Sequence, residues 1–293
     1  MLVKLGTRKS PLALAQAQLV KSLLLGKYPN ITVEIVHIVT SGDKFLSQNL
    51  ADIGGKGLFT KEIEEGLLDG SIDIAVHSMK DMPTKLPDGL VIGAVLERED
   101  PRDMLVGKGL SSISDLPKGV IFGTSSLRRA AQIKIKRHDV QIVPFRGNVG
   151  SRLAKLERGE AQATMLARAG LNRLGITDIE GAVLEIEEFL PAIAQGAIGI
   201  ECRADNNKIK ELLVPLNHKN SEISVGCERA FLAVLDGSCR TPIAGYANIK
   251  NDIIYMSGLI AEPNGSRHKK AELSGDVKDA EKIGIELGNK LKN

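Results

Sequence analysis

The constraint that narrows the fold most is a repeated order of events: an apolar run, a glycine-led turn, then a capped helix. Residues 2–5 are apolar, Gly6-Thr7-Arg8-Lys9 turns the chain, and Ser10-Pro11 opens a helix with serine as N-cap and proline in the first position. Residues 120–122 repeat the run, Gly123-Thr124-Ser125-Ser126 repeats the turn, and a second helix starts near Leu127. Both helices contain an Ala-Gln pair, Ala15-Gln16 and Ala131-Gln132. This alternation predicts an α/β protein with two lobes of related topology, built on mainly parallel sheets with helices on both faces.

Within the first lobe, β-branched residues 32–39 read as a strand, and residues 58–68 as a helix stopped by Asp69-Gly70. Residues 41–57 have few apolar side chains and end in Gly54-Gly55-Lys56-Gly57, a pattern that predicts a mobile loop. Residues 72–76 read as a buried strand running into His77-Ser78-Met79-Lys80-Asp81. The charged stretch from Glu97 to Asp103 marks a crossover, and further βα elements run to about Leu190. The remainder differs in character. A helix over 221–235 precedes strand-like runs at 243–249, 253–261 and 267–273, with turns at Lys250-Asn251-Asp252 and Pro263-Asn264-Gly265, and a helix over 279–291 closes the pattern. That predicts a small α+β C-terminal domain with an antiparallel sheet.

Composition excludes several classes. At 293 residues the chain exceeds one typical domain of about 150. A hydrophobic content of 43% with 26% charged residues fits a water-soluble globular protein. No apolar run approaches the roughly 20 residues that span a bilayer, so no membrane association is expected. The opening residues read as a strand and not as a secretory leader. Three cysteines in unlike settings make no disulfide framework, and a reducing cytoplasm is the expected location. The five histidines show no metal-ligand spacing, so no metal is expected. Net charge is only +3, yet Arg128 to Arg173 holds eight arginines and three lysines against Asp139, Glu157 and Glu160. A concentration of that kind calls for a polyanionic partner at one place.

The candidate chemistry lies in three settings. Cys202 sits in an apolar run, and Cys227 aligns with Ile223, Phe231 and Val234 on a helix stripe, so both read as buried hydrophobes. Cys239 instead follows Gly237-Ser238 and precedes Arg240-Thr241-Pro242, on a loop beside a cation that favours thiolate. It is either an unreactive surface thiol or the site of covalent chemistry. Helix starts at Arg8/Ser10 and at Thr124–Arg129 offer free N–H groups and a positive dipole end to anions. Arg128, Arg129, Arg146, Arg152, Arg168 and Arg173 are either scattered surface cations or a convergent site for carboxylates. Gly54-Gly55-Lys56-Gly57 lacks P-loop spacing, and aromatic content of 3% with no tryptophan argues against stacking nucleic acid bases. A small polycarboxylate suits the arginines better. Asp81, after a buried strand, reads as a turn residue or as a carboxylate that stabilises a cation. At about 4 Å and an effective dielectric of about 20, that attraction is about 4 kcal/mol.

Taken together, ordered motifs carry a resemblance. Thr7-Arg8-Lys9-Ser10-Pro11-Leu12-Ala13-Leu14, Gly54-Gly55-Lys56-Gly57-Leu58-Phe59, Val76-His77-Ser78-Met79-Lys80-Asp81-Met82-Pro83, Gly123-Thr124-Ser125-Ser126-Leu127-Arg128-Arg129, Arg146-Gly147-Asn148, Gln195-Gly196-Ala197 and the cysteine loop through Tyr246 resemble the porphobilinogen deaminase (hydroxymethylbilane synthase) family. The resemblance implies a transferase of porphyrin biosynthesis. It would join four porphobilinogen molecules head to tail with loss of ammonia and release hydroxymethylbilane by hydrolysis. It implies a dipyrromethane cofactor on Cys239 through a thioether, and Asp81 as the catalytic carboxylate. Cofactor and substrate carboxylates would be held by Arg8, Ser10, Lys56, Ser78, Lys80, Thr124, Ser126, Arg128, Arg129, Arg146, Arg152 and Arg173, with Gln195 at a hinge. The implied architecture has lobes like those of a periplasmic binding protein: domain 1 over 1–96 and 197–214, domain 2 over 97–196, and domain 3 over 215–293. A monomer is expected, with porphobilinogen as its small-molecule partner.

The chain departs from the family pattern at Asp52, where some members have lysine, at Ala194 before Gln195, and at Ser238 before the cysteine. Two other classes compete. A two-lobed anion receptor explains the arginines but needs no loop cysteine in a third domain. An RNA-binding protein would use the basic segment and show steep salt dependence.

Overall fold

The computed structural model describes residues 1–44, 60–235 and 241–292. Asp52, Lys56 with the rest of the Gly54–Gly57 segment, and Ser238, Cys239 and Arg240 lie outside the described residues. In chain order the elements are β1 (Leu2–Arg8), α1 (Pro11–Lys27), β2 (Thr32–Ile38), α2 (Ser41–Lys44), α3 (Lys61–Leu68), β3 (Ile74–Ser78) and β4 (Leu90–Val95). There follow β5 (Asp103–Val106), β6 (Ile121–Gly123), α4 (Leu127–Lys136), β7 (Gln141–Val143), α5 (Val149–Glu157), β8 (Ala163–Ala167), α6 (Arg168–Arg173) and β9 (Gly181–Val183). The chain continues through β10 (Ile198–Arg203), α7 (Asn207–Leu213), α8 (Lys219–Val234), β11 (Ile243–Lys250), β12 (Ile253–Ala261), β13 (His268–Asp276) and α9 (Ala280–Lys292). It divides into two compact units, Met1–Glu99 with Ala197–Glu222, and Asp100–Gly196 with Ile223–Asn293. No helix among the described residues is long and apolar enough to cross a membrane.

The first unit is a five-stranded sheet in the order β2-β1-β3-β10-β4. β1 runs parallel to β2 and β3, whereas β10 is antiparallel to both β3 and β4. Ser10 starts α1 as expected: its Oγ accepts the Ala13 N–H at 3.3 Å, with proline in the first turn. Ala17, Val20 and Leu24, one stripe of α1, pack on Val3, Leu5, Ile74 and Val76. On the opposite face Ile63 and Leu67 of α3 meet Ile72, Ala75 and Leu90. α8 begins at Lys219, two residues earlier than the sequence implies, with His218 Nδ1 accepting the Ser221 N–H at 3.3 Å.

The second unit holds a five-stranded sheet, β7-β6-β8-β5-β9, and a three-stranded one, β11-β12-β13. β6 runs parallel to β7 and β8, and β5 antiparallel to β8 and β9. Both five-stranded sheets are thus mixed in the same way. Four of the five strands in each run one way, as expected of mainly parallel sheets, and a single strand, β10 or β5, runs against them. Hydrophobic periodicity registers a buried strand without registering its direction, so that one reversal is visible only in the register. The small sheet is antiparallel throughout. Its first turn, Asn251-Asp252, has φ of 49° and 60°, the left-handed pair that a two-residue hairpin needs. Its buried face packs on α8 and α9. A Cβ at Gly258 would stand 2.7 Å from the Phe231 ring.

One ion cluster ties the larger sheet of this unit to its helix. Asp103, at the start of β5, has no exposed surface. Its Oδ1 accepts from Arg129 Nη2 at 2.6 Å and from Arg129 Nε at 3.1 Å, while Oδ2 lies 2.7 Å from Arg128 Nη1. Arg129 Nη1 also donates to the Met165 carbonyl of β8 at 2.7 Å, and Arg128 Nη1 to the Leu190 carbonyl at 2.8 Å. The Arg128 guanidinium further sits 5.7 Å from the Phe189 ring centre. Burial alone would raise the Asp103 carboxyl. The two guanidinium charges and their hydrogen bonds outweigh it and hold that carboxyl well below the usual carboxylate range.

Removing one partner of such a buried cluster leaves uncompensated charge, so Asp103→Ala is expected to cost about 3–5 kcal/mol in urea unfolding. The Asp103 pKa is lower in the folded state, so its stabilisation is complete above the unfolded value and vanishes as pH falls through the folded one. The variant should therefore lose less stability on acidification than the wild type; parallel acid limbs would remove Asp103 from this role. A second substitution probes the nearby turn. A Cβ at Gly123 would stand 2.5 Å from the Phe145 ring, and Gly123→Ala is expected to cost about 1–3 kcal/mol through overpacking, read by thermal unfolding.

Candidate active site

In the first unit, parallel β1, β2 and β3 deliver their carboxyl ends to one edge of the sheet. Arg8 ends β1 and Ser10 caps α1 immediately beyond it. Buried Thr7 anchors this turn by donating to the Ala13 carbonyl at 3.3 Å. Ser78 ends β3, and Met79–Asp81 forms a single 3₁₀ turn beyond it. The chain position of that turn is fixed by the Met79 N–H, which donates to the Ala197 carbonyl at 3.0 Å. Lys80 and Asp81 are exposed, and the Asp81 carboxylate pairs with no other side chain among the described residues. A solvent-facing carboxylate at the end of a central strand is available to an incoming cation. Ser78 Oγ accepts from Gln16 Nε2 at 2.9 Å, so α1 fixes the strand end from one face.

In the second unit, parallel β7, β6 and β8 likewise end at one edge. Three segments gather there: the turn 124–126, the turn 144–148 and the start of α6. Thr124 is buried, and its Oγ1 accepts the Ser126 N–H at 3.1 Å. Ser126 caps α4 by accepting the Arg129 N–H at 3.4 Å. Ser125 Oγ accepts the Phe145 N–H at 2.9 Å, which locks the two turns together and sets the neighbouring Arg146. Asn148 caps α5, and Arg152 Nε donates to the Gly147 carbonyl at 2.9 Å. Arg146 and Arg152 are half-buried. Arg128 and Arg129 turn inward to Asp103, so the three together present one net positive charge.

The α6 end of this edge leads to the segment around Gln195. Arg173 Nη2 donates to the Gly196 carbonyl at 2.6 Å, and Gln195 Nε2 to the Pro101 carbonyl at 2.8 Å. Ala194 adopts φ of 58°, a left-handed conformation in which glycine would be less strained. Its N–H donates at 2.5 Å to Glu228, a fully buried carboxylate whose other oxygen accepts the Ala247 N–H at 2.8 Å.

Several residues of these edges escape sequence reasoning. Asp103 sits inside a charged run that reads as a crossover. Gln16 and Gln132 carry the repeated Ala-Gln signal, which was informative about more than topology: both are buried, one on Ser78, the other clamping the Leu190 peptide through bonds of 2.9 Å in each direction. Cys202 and Cys227 are buried, and burial pushes both thiols up, Cys227 to about 12. Among the described residues no three His, Cys, Asp or Glu side chains gather to hold a metal ion.

Solved structures with a similar course of chain include the alkanesulfonate-binding protein SsuA from Xanthomonas axonopodis pv. citri bound to MOPS, at 15% identity and a TM-score of 0.38 over 80% of this chain and 75% of that one. Another is the probable amino-acid ABC transporter extracellular-binding protein YtmK from Bacillus subtilis, at 13% identity and a TM-score of 0.44 over 74% and 90%. Family models give a stronger result. Residues 3–211 match the porphobilinogen deaminase dipyromethane cofactor binding domain, and residues 223–293 match the porphobilinogen deaminase C-terminal domain. Matched over nearly its whole length, the chain belongs to the porphobilinogen deaminase family, enzymes with hydroxymethylbilane synthase activity that use a dipyrromethane cofactor to build tetrapyrroles by joining pyrroles.

Proposed function

We propose that this enzyme joins four porphobilinogen molecules head to tail on a dipyrromethane primer held by Cys239 through a thioether, and frees hydroxymethylbilane by hydrolysis. The observation that carries this reading is the exposed Asp81 carboxylate just beyond β3, with no side-chain partner among the described residues, in a chain matched by both family domains. Asp81 stands ready to stabilise the cation left on the methylene carbon when the amino group of the substrate's aminomethyl arm departs as ammonia, and to assist that departure. Once the new carbon–carbon bond has formed, the attacked pyrrole carbon gives up its proton. The same carboxylate serves each round.

The donor chemistry of the second unit fits a cofactor rich in carboxylates. Hydroxyls of Thr124 and Ser126, the N-terminus of α4, and the guanidinium groups of Arg146 and Arg152 lie along one edge. Arg128 and Arg129 back this edge with charge held in place by Asp103. Arg173 and Gln195 brace the segment before β10. In the first unit Arg8, Ser10, Ser78 and Lys80 surround the strand ends that present Asp81, and Lys56 is assigned to the same role. When bound, the cofactor supplies the nucleophilic pyrrole that primes each chain. Of the three cysteines, Cys202 and Cys227 are buried with disfavoured thiolates, which leaves Cys239 as the anchor. Action as a cytoplasmic monomer with no nucleic acid partner completes the reading.

Intact-protein mass spectrometry tests the anchor. The wild type should carry an adduct of two pyrrole units that is missing from Cys239→Ser, and a wild-type mass that lacks the adduct and still lacks it after porphobilinogen is supplied would sink the assignment. For Asp81→Asn the adduct should persist while turnover falls about 100-fold or more. Near-normal turnover in that variant would take the catalytic role away from Asp81.

A further inference from the structure

On the face of the first sheet opposite α1 lies a buried polar cluster that the proposed mechanism does not use. His77 on β3, Glu201 on β10 and Glu64 on α3 are 7%, 0% and 8% exposed. His77 Nε2 lies 3.0 Å from Glu201 Oε2. Glu201 Oε1 and Glu64 Oε1 are each buried without a hydrogen-bond partner among the described residues. Two carboxyl groups so placed do not both ionise readily, because burial and mutual repulsion each oppose the second charge. The Glu64 carboxyl is raised accordingly, chiefly by burial, with a lowering hydrogen bond from Thr60, a raising contribution from the Glu201 charge and a lowering one from His77. The other elements against α3 add nothing to this balance: β4 has no titratable residue, and neither Lys4 nor Arg8 of β1 acts on Glu64. The same holds for Lys61, Glu62 and Glu65 on its own helix.

We propose that His77, Glu201 and Glu64 form a proton-holding network that fixes the carboxyl end of β3 and thereby positions Asp81. The proposal rests on the catalytic role assigned to Asp81 above. β3 is pinned from both faces just before its terminal turn, by Gln16 on Ser78 and by Glu201 on His77. In the closed network the Glu64 carboxyl keeps its proton beside the hydrogen-bonded His77 and Glu201 side chains, so it adds no further charge to the buried group. Loss of the Glu64 proton puts a second carboxylate beside Glu201, and the strand end loosens with it. Glu64, His77 and Glu201 touch neither substrate nor cofactor in this scheme; they act through the backbone that leads to Asp81.

The cofactor-loaded enzyme and its Glu64→Gln and His77→Gln variants test this by thermal unfolding against pH, infrared spectroscopy and steady-state kinetics. A group whose pKa is raised in the folded state stabilises fully below its unfolded value, here 4.5, and loses that contribution as pH rises through the folded one. The wild type should therefore lose melting temperature on the alkaline side relative to Glu64→Gln. It should show a protonated-carboxyl band that the variant lacks, and the variant's kcat should hold to higher pH. His77→Gln should lower kcat with little change in KM, by about 10- to 100-fold if Asp81 moves by about an ångström. Should His77→Gln fail to fold, Glu64→Gln alone decides. A Glu64→Gln variant with the wild-type pH slope and an unchanged band overturns the network. Normal turnover in Asp81→Asn with both Glu64 signatures present would instead overturn the role of Asp81.

Discussion

The second unit is organised around one carboxylate that never meets water. Asp103 holds two adjacent guanidinium groups, and through them β5 is bound to α4, to the β8 carbonyl of Met165 and to the Leu190 carbonyl. Without it, Arg128 and Arg129 would repel each other across a buried site and be driven outward. With it, α4 is held at a set depth against the sheet, and the direction of its N-terminus is fixed. Thr124, Ser126 and the turn that carries Arg146 inherit that direction through the Ser126 cap and the bond from the Phe145 N–H to Ser125. The local surplus of positive charge is therefore not a loose halo of side chains. Part of it is structural, and part lies along the edge where carboxylates would bind.

The first unit meets a different demand. Its sheet is complete only when β10, which comes from far along the chain, inserts between β3 and β4. β10 supplies Glu201 to His77, and Ala197 just before it supplies its carbonyl to the Met79 N–H, so the turn that carries Asp81 depends on residues more than a hundred positions later. A Cβ at Gly199 would fall 2.1 Å from the Met79 sulfur, a measure of how closely β10 approaches this turn. Precision at Asp81 is thus a consequence of long-range pairing and not of the local sequence His77-Ser78-Met79-Lys80-Asp81.

Local rules were readable and remote ones were not. The Ser10-Pro11 helix start, the left-handed hairpin at Asn251-Asp252 and the burial of Cys227 each depend on a few neighbouring residues, and the structure shows all of them. Strand direction depends on the partner strand, so the one reversed strand of each large sheet, β10 and β5, left no trace in periodicity. The inward turn of Arg128 and Arg129 depends on Asp103, which lies 25 residues upstream in a run of charges. His218 as the cap of α8 was hidden because imidazole is an uncommon cap and serine nearby is a common one. The two glutamines left the most usable signal, since a polar side chain repeated at one position of two helices rarely serves solvent in both.

Those glutamines also show how two lobes of related topology have diverged. Gln16 spends its amide on the hydroxyl of Ser78, at the end of the strand that leads to Asp81. Gln132 spends both ends of its amide on the peptide of Leu190, whose carbonyl also receives Arg128. The first lobe thereby stiffens a strand end and leaves the carboxylate beyond it exposed, with no side-chain partner among the described residues. The second lobe stiffens a cationic cluster and buries the carboxylate that neutralises part of it. One scaffold, used twice, presents at equivalent edges a carboxylate among cations in one lobe and hydroxyls with guanidinium groups in the other. A free carboxylate suits a developing cation, and hydroxyls with braced guanidinium groups suit the acidic side chains of pyrroles.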